Sequence, residues 1–151
     1  MGKVYDPLMH TAEHILNQTM IRFFNSGRCV NAHIEKKKSK CDYRFQRPLT
    51  DSEKEDIEKA VNQVIRADLP VTDSVISSAE ATSKYFTGKL PATAGDSIRI
   101  VHIGDYDACP CIGRHARSTG ELSSFSIVST NFDNGILRIR FKLTPILENT
   151  G

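Results

Sequence analysis

The protein has 151 residues, of which 39% are hydrophobic and 25% charged, with a net charge of +2 and four cysteines. That length predicts one domain over residues 1–151, able to bury a core without disulfide staples. A membrane span is excluded because no apolar run approaches about 18 residues, and the stretch before the first helix lacks the pattern of an export signal. Cys109 and Cys111 stand too close to pair readily, so free thiols and metal ligands in a reducing cytoplasm are expected. So small a net charge names no partner; its distribution carries more.

Asp6 predicts an N-cap and Pro7 the first helical residue. Apolar Leu8, Ala12, Ile15, Leu16, Met20 and Phe23 recur at helical spacing through Phe24, with Gly27 as a stop. Arg28 to Glu35 reads as a strand, Val30, Ala32 and Ile34 on one face, Asn31 and His33 on the other. After a lysine-rich turn, Cys41, Tyr43 and Phe45 alternate with Asp42, Arg44 and Gln46 in an antiparallel strand. Thr50-Asp51-Ser52-Glu53 is a capping-box pattern, and the stripe Ile57, Ala60, Val61, Val64, Ile65 predicts a helix to about Ala67.

A strand is predicted from Leu69 to Ile76, a short helix from Ser77 or Ser78 to Tyr85, and a loop from Thr87 to Gly95. Ser97 to Ile103 has strong β-propensity, and a turn at 104–107 leads into a Cys/His stretch. Leu122 to Thr130 and Gly135 to Thr144 form a hairpin around residues 131–135, where Asn134-Gly135 is a turn signal. This order predicts an α+β two-layer sandwich, a mainly antiparallel sheet with helices packed on one face.

Two histidine-bearing segments carry chemistry. His10 and His14 are four residues apart on the first helix, so both imidazoles project from one face. About a hundred residues later, Cys109-Pro110-Cys111-Ile112-Gly113-Arg114-His115 repeats that spacing between Cys111 and His115. Either pair alone is a weak signal; together they make four donors of the type zinc prefers. Cys109 lacks the spacing to His115 and is set aside.

These residues resemble the editing domain of alanyl-tRNA synthetase and its free-standing, short AlaX-type relatives. The family's His-Thr-Ala-x-His-x-Leu is matched at His10, Thr11, Ala12, His14 and Leu16. Its Cys-x-Gly-x-His with a following Thr-Gly-Glu is matched at Cys111, Gly113, His115, Thr119, Gly120 and Glu121. Cys41-Asp42-Tyr43-Arg44-Phe45 resembles the family's Arg-Phe-Asp-Phe-like strand, and the likeness runs from about Leu8 to Leu143. The threonyl-tRNA synthetase editing domain is a more distant relative. The resemblance implies zinc-dependent hydrolysis of Ser- or Gly-tRNA for alanine. With no adenylate-forming or anticodon-reading domain in the sequence, a deacylase acting in trans is expected, not a ligase. Ile112 and Arg114 depart from the family's usual Cys-Gly-Gly-Thr-His, which bears on the choice of amino acid.

Around zinc bound by His10, His14, Cys111 and His115, substrate contacts are expected at Thr11, Asn31, His33, Gly113 and Arg114. Glu13 has two readings, a catalytic base beside the histidines or a solvated helix residue; His33 reads equally as an ordinary exposed histidine, and His102 as packed in its strand. Phosphates of tRNA would meet Lys36, Lys37, Lys38, Lys40, Arg114 and Arg117. Two rivals remain: a metallopeptidase, because His10-x-x-Glu13-His14 satisfies the inverzincin pattern, and a zinc-stabilised RNA-binding module without catalysis. An open metal position facing a pocket separates the enzyme from the module.

Overall fold

Helix α1, Pro7–Phe24, begins where Asp6 accepts hydrogen bonds from the Leu8 and Met9 N–H groups at 3.0 Å. It stops before the expected Gly27, because Asn25 adopts the left-handed conformation (φ 53°) and donates its N–H to the Ile21 carbonyl. Helix α2, Asp51–Arg66, opens on the anticipated box: Glu53 N–H donates to Thr50 Oγ1 at 3.1 Å, and Thr50 N–H donates to Glu53 at 2.9 Å. The computed structural model describes residues 6–77 and 97–144. The predicted short helix to Tyr85, beyond its first residue, and the 87–95 loop lie outside the described residues.

Two antiparallel sheets are present where a single sheet was expected. Strands β1 (Asn31–His33), β2 (Ser39–Arg44), β6 (Ser124–Asp133) and β7 (Ile136–Thr144) form one, in the order β1-β2-β7-β6. Strands β3 (Val71–Ser77), β4 (Ser97–Ile103) and β5 (Asp107–Pro110) form the other. β1 is much shorter than the predicted 28–35 strand because Ser39 Oγ takes both the N–H and the C=O of Glu35, closing a turn at 2.9 Å in each contact. β5 was not anticipated; it is a short edge strand ending at a proline, which an edge tolerates. The β6–β7 turn is tighter than expected, two residues with positive φ (Asn134 51°, Gly135 79°).

The core lies between the helices and the inner face of the four-stranded sheet. Ile15, Leu16 and Met20 of α1 and Ile57, Val61 and Ile65 of α2 are buried with Tyr43, Leu137, Ile139 and Phe141. This is the two-layer arrangement, helices on a sheet, that the element order predicts. α1 also touches β5, bringing the end of that edge strand beside the histidines.

Candidate metal centre

His10 and His14 sit on the buried side of α1, 6% and 4% exposed. Cys111 and His115 come from the irregular segment after β5, so their four-residue spacing is not a helical turn. Arg99 of β4 holds that segment: its Nη1 donates to the carbonyls of Cys111 (3.2 Å) and Gly113 (2.7 Å), while its Nε bonds Asp73. Gly113 passes so close to His10 that a Cβ there would lie 2.1 Å from the ring carbon Cε1. A side chain at 113 is therefore incompatible with His10 in place.

The donor atoms of His10, His14, Cys111 and His115 all lie within 4.8 Å of one another. Hydrogen bonding fixes which nitrogen each ring offers. Thr11 Oγ1 donates to the Pro7 carbonyl (3.0 Å) and accepts from Ala116 N–H (2.9 Å), so His115 Nδ1, at 3.1 Å, must be a donor to it. His115 Nε2 is then a lone pair, and it is buried without a hydrogen-bond partner. His10 Nδ1 donates to the Arg114 carbonyl at 3.0 Å, and its Nε2 lies 3.4 Å from Cys111 Sγ. His14 Nδ1 faces Asp107 Oδ2 at 3.5 Å. His10 and His115 are thus held through Nδ1 and present Nε2, the outer-partner pattern of metal-ligating histidines, while His14 Nδ1 faces Asp107 without a formed hydrogen bond. An orphaned buried lone pair among three more donors fits a metal ion.

The electrostatics agree with that fit. Burial, the largest influence, pushes the Cys111 thiol up, but the rings of His10, His115 and His14 beside it outweigh that and bring it down to about 3. Burial also opposes charge on His14, yet Asp107 and Cys111 beside it raise it to about 9. Against burial, His14 and Arg28 hold Asp107 down at about 2. Burial, the largest influence, lowers His115. A thiolate beside a protonatable imidazole suits a soft divalent ion, which binds the thiolate directly and displaces the imidazole proton. Cys109 differs: burial pushes it up to about 12, and it stands outside the cluster.

A cleft of about 580 Å³ borders the cluster; Glu13, Asn17, Arg28, Asn31, Cys109 and Ile112 line it with His10, His14 and Cys111. Glu13 lies between the two environments, with Oε1 3.7 Å from His10 Nε2 and Oε2 accepting from the Cys29 thiol at 3.4 Å. Glu13, Cys29 and Cys41 also form a second tight group.

Of the other expected site residues, Asn31 lines the cleft, whereas His33 is turned away to Glu35 at 2.9 Å. Thr11 is fully buried and positions His115. Gly113 and Arg114 act through backbone, and the Arg114 side chain is exposed outside the cleft lining. Lys36, Lys37 and Lys38 are exposed in the β1–β2 turn, Lys40 is half-buried in β2, and Arg117 is exposed beyond the cluster. His102 hydrogen-bonds Ser74 in the neighbouring strand at 3.0 Å. Sequence reasoning missed Arg28 and Asp107, which form a buried ion pair behind His14 and share Asp107 with Gln18. The only hint was an acid four residues before Cys111.

Residues 98–140 match the family model for the threonyl and alanyl tRNA synthetase second additional domain. The chain is 31% identical over 138 residues to the alanine–tRNA ligase of Aeropyrum pernix, covering 87% of this chain and 15% of that protein. It is 30% identical over 133 residues to that of Treponema denticola (87% and 22%) and 31% identical over 144 residues to that of Treponema pallidum (94% and 23%). The chain therefore spans less than a quarter of the length of these relatives.

Proposed function

We propose that this chain is an editing domain of the threonyl/alanyl-tRNA synthetase type that hydrolyses mischarged Ser- or Gly-tRNA for alanine in trans, with zinc bound by His10, His14, Cys111 and His115. The observation that carries this reading is the convergence of both motif pairs on one donor cluster at the wall of a cleft. The cleft's size falls in the range of small-molecule sites, suited to a terminal adenosine and a small amino acid.

An aminoacyl ester is already activated, so the protein must orient it, supply charge where oxyanion character develops, and place a water. Zinc in such a donor set is a Lewis acid able to polarise a carbonyl or acidify water. Thr11 and the Arg114 carbonyl hold His115 and His10 in register for it, and Asp107 faces His14. Glu13, beside His10 and facing the cleft, is the carboxylate placed to take a proton from an attacking water. Arg28 brings positive charge to the wall, with Nη2 on Asp107 and Nη1 without a hydrogen-bond partner. Asn31 adds a polar contact, while Lys36, Lys37, Lys38, Lys40 and Arg117 supply charge for phosphates.

One observation favours a second reading, a zinc-stabilised RNA-binding module: four protein donors suffice for a closed tetrahedral site. The metallopeptidase reading loses its support, since its two histidines belong to the same cluster as Cys111 and His115. Release of serine from Ser-tRNA for alanine, followed with zinc-loaded and gently chelated protein, separates the first two. Rapid, zinc-dependent release that spares Ala-tRNA is expected of the deacylase; no release of serine or glycine leaves the binding module.

A further inference from the structure

The outer face of the four-stranded sheet turns away from both helices. Strand register places Arg138, Arg140 and Lys142 of β7 on it, with Lys40 of β2 opposite Arg140 and Asp42 opposite Arg138. On the other side, β6 sets Ser129 against Arg140 and Asn131 against Arg138. Arg138 is committed to Asp42 through two bonds of 2.8 and 3.0 Å, and that bond holds Asp42 below the usual carboxylate range, with burial opposing and the charges of Arg138 and Lys40 assisting. Among the described residues Arg140 hydrogen-bonds neutral groups, Asn131 Oδ1 at 2.9 Å and Ser129 Oγ at 3.4 Å. Among the described residues, Lys40, Arg140 and Lys142 make no salt bridge.

Directly opposed like charges in an antiparallel pair are destabilising, and Lys40 faces Arg140 across such a pair. Alternate residues of β7 stand about 7 Å apart along the strand, and the next strand lies about 5 Å away. The face is therefore a row of cations with a flanking cation, interleaved with hydroxyl and amide groups; Asp42 compensates Arg138, whereas among the described residues Arg140 and Lys142 have no acidic partner. Such a combination, regular positive charge plus neutral donors, matches phosphates and sugar hydroxyls of a nucleic-acid backbone better than an apolar partner.

Direction comes from β1. Asn31, opposite Asp42, is on this same face and also lines the cleft beside the metal cluster. Crossing from β7 over β2 to β1 thus leads from the cationic row to the cleft rim. We infer that this open sheet face docks the backbone of an RNA duplex, aligned so that its single-stranded end passes over β1 into the cleft; this rests on the proposed deacylase reading for what the cleft does to that end. Arg140 and Lys142 are the principal phosphate contacts, with Ser129 and Asn131 as neutral partners.

The test uses the whole protein carrying Arg140→Gln with Lys142→Gln, which keeps the stems and leaves the Arg138–Asp42 pair intact. A control carries Lys54→Gln with Lys59→Gln, the same charge change on α2. Binding of a labelled, uncharged hairpin RNA with an acceptor-stem duplex is followed by fluorescence anisotropy from low to moderate salt. The sheet variant is expected to bind at least about tenfold more weakly at low salt and to lower the slope of log affinity against log salt by about 1.5–2, two phosphate contacts' worth. The α2 control is expected to change affinity less than about twofold. Equal loss in both variants, no loss in the sheet variant with a normal melting temperature, or polyglutamate competing as well as RNA of equal charge overturns the docking face. Hydrolysis of the seryl ester on the same hairpin keeps the two readings apart. An unchanged KM in a sheet variant that still hydrolyses sinks the face alone; lost RNA binding in a protein whose parent never hydrolyses sustains the face and sinks the deacylase.

Discussion

The two helices begin alike and bury opposite things. Both start at a side-chain cap, Asp6 for α1 and Thr50 with Glu53 for α2. α2 buries only Ile57, Val61, Val64 and Ile65, whereas α1 buries His10, Thr11, His14, Asn17 and Thr19 beside its apolar residues. Three of those polar groups are satisfied across the chain or by their own backbone: Thr11 to His115, Asn17 to Tyr43 at 2.7 Å, Thr19 to the Ile15 carbonyl and to Tyr106 at 2.6 Å. Burying polar atoms is costly unless each finds a partner. α1 accepts that cost at five positions, two of them in the donor cluster, whereas α2 contributes apolar packing alone.

The comparison breaks most visibly at the cluster. His14→Ala removes a donor, and stoichiometric zinc binding, read by competition with a chromophoric chelator, is expected to fall further than the roughly 10–100-fold typical of an outer partner. On the other helix, Ile57→Ala empties a fully buried site. It should lower unfolding free energy by about 2–5 kcal/mol in denaturant titration while leaving zinc affinity in the folded protein unchanged; a matching loss of zinc affinity would erase the division of labour. Thr11→Val keeps the shape but removes the hydroxyl that sets the His115 tautomer. Zinc affinity of the folded protein is expected to drop about 10–100-fold, and the melting temperature to fall too, because three hydrogen bonds go and the buried Ala116 N–H loses its acceptor.

The smallest effect belongs to the α2 cap. Hydrogen bonds from Arg47 and Thr50 hold Glu53 down from 4.5 to about 2. The folded value is depressed, so this stabilisation is fully present above pH 4.5 and is lost as pH falls through about 2. Glu53→Gln should flatten the stability curve across that window and cost about 1 kcal/mol or less near neutrality, the group being close to solvent.

Local signals predicted local structure well. Asp6-Pro7 and Thr50-x-x-Glu53 placed both helix starts, Asn134-Gly135 placed the hairpin turn, and residues 97–103 form the expected strand. The four donors were legible because uncommon residues recur at a bidentate spacing, and they do converge. What escaped depends on contacts between distant residues. Two sheets replaced one because β4 pairs only with β3 and β5, a choice that alternation along a single strand does not encode. The spacing of Cys111 and His115 suggested a turn of helix, whereas a loop held by Arg99 brings them together. Asp107 and Arg28 carry no motif; their roles exist only once β5 and residue 28 meet α1.

The cluster joins residues 10 and 14 to residues 111 and 115, ends of a chain segment about a hundred residues long. Closing so long a loop is entropically slow, and none of the four donors has its partners until both ends have arrived. Metal capture is thereby a clock on assembly. In a refolding experiment, tight zinc uptake should appear with the last kinetic phase and not with the early formation of α1, although α1 carries half the donors. Once closed, an ion held there would crosslink the first helix to a segment about a hundred residues away in the chain, so its loss would be felt as a slackening of the whole chain and not of the cleft alone.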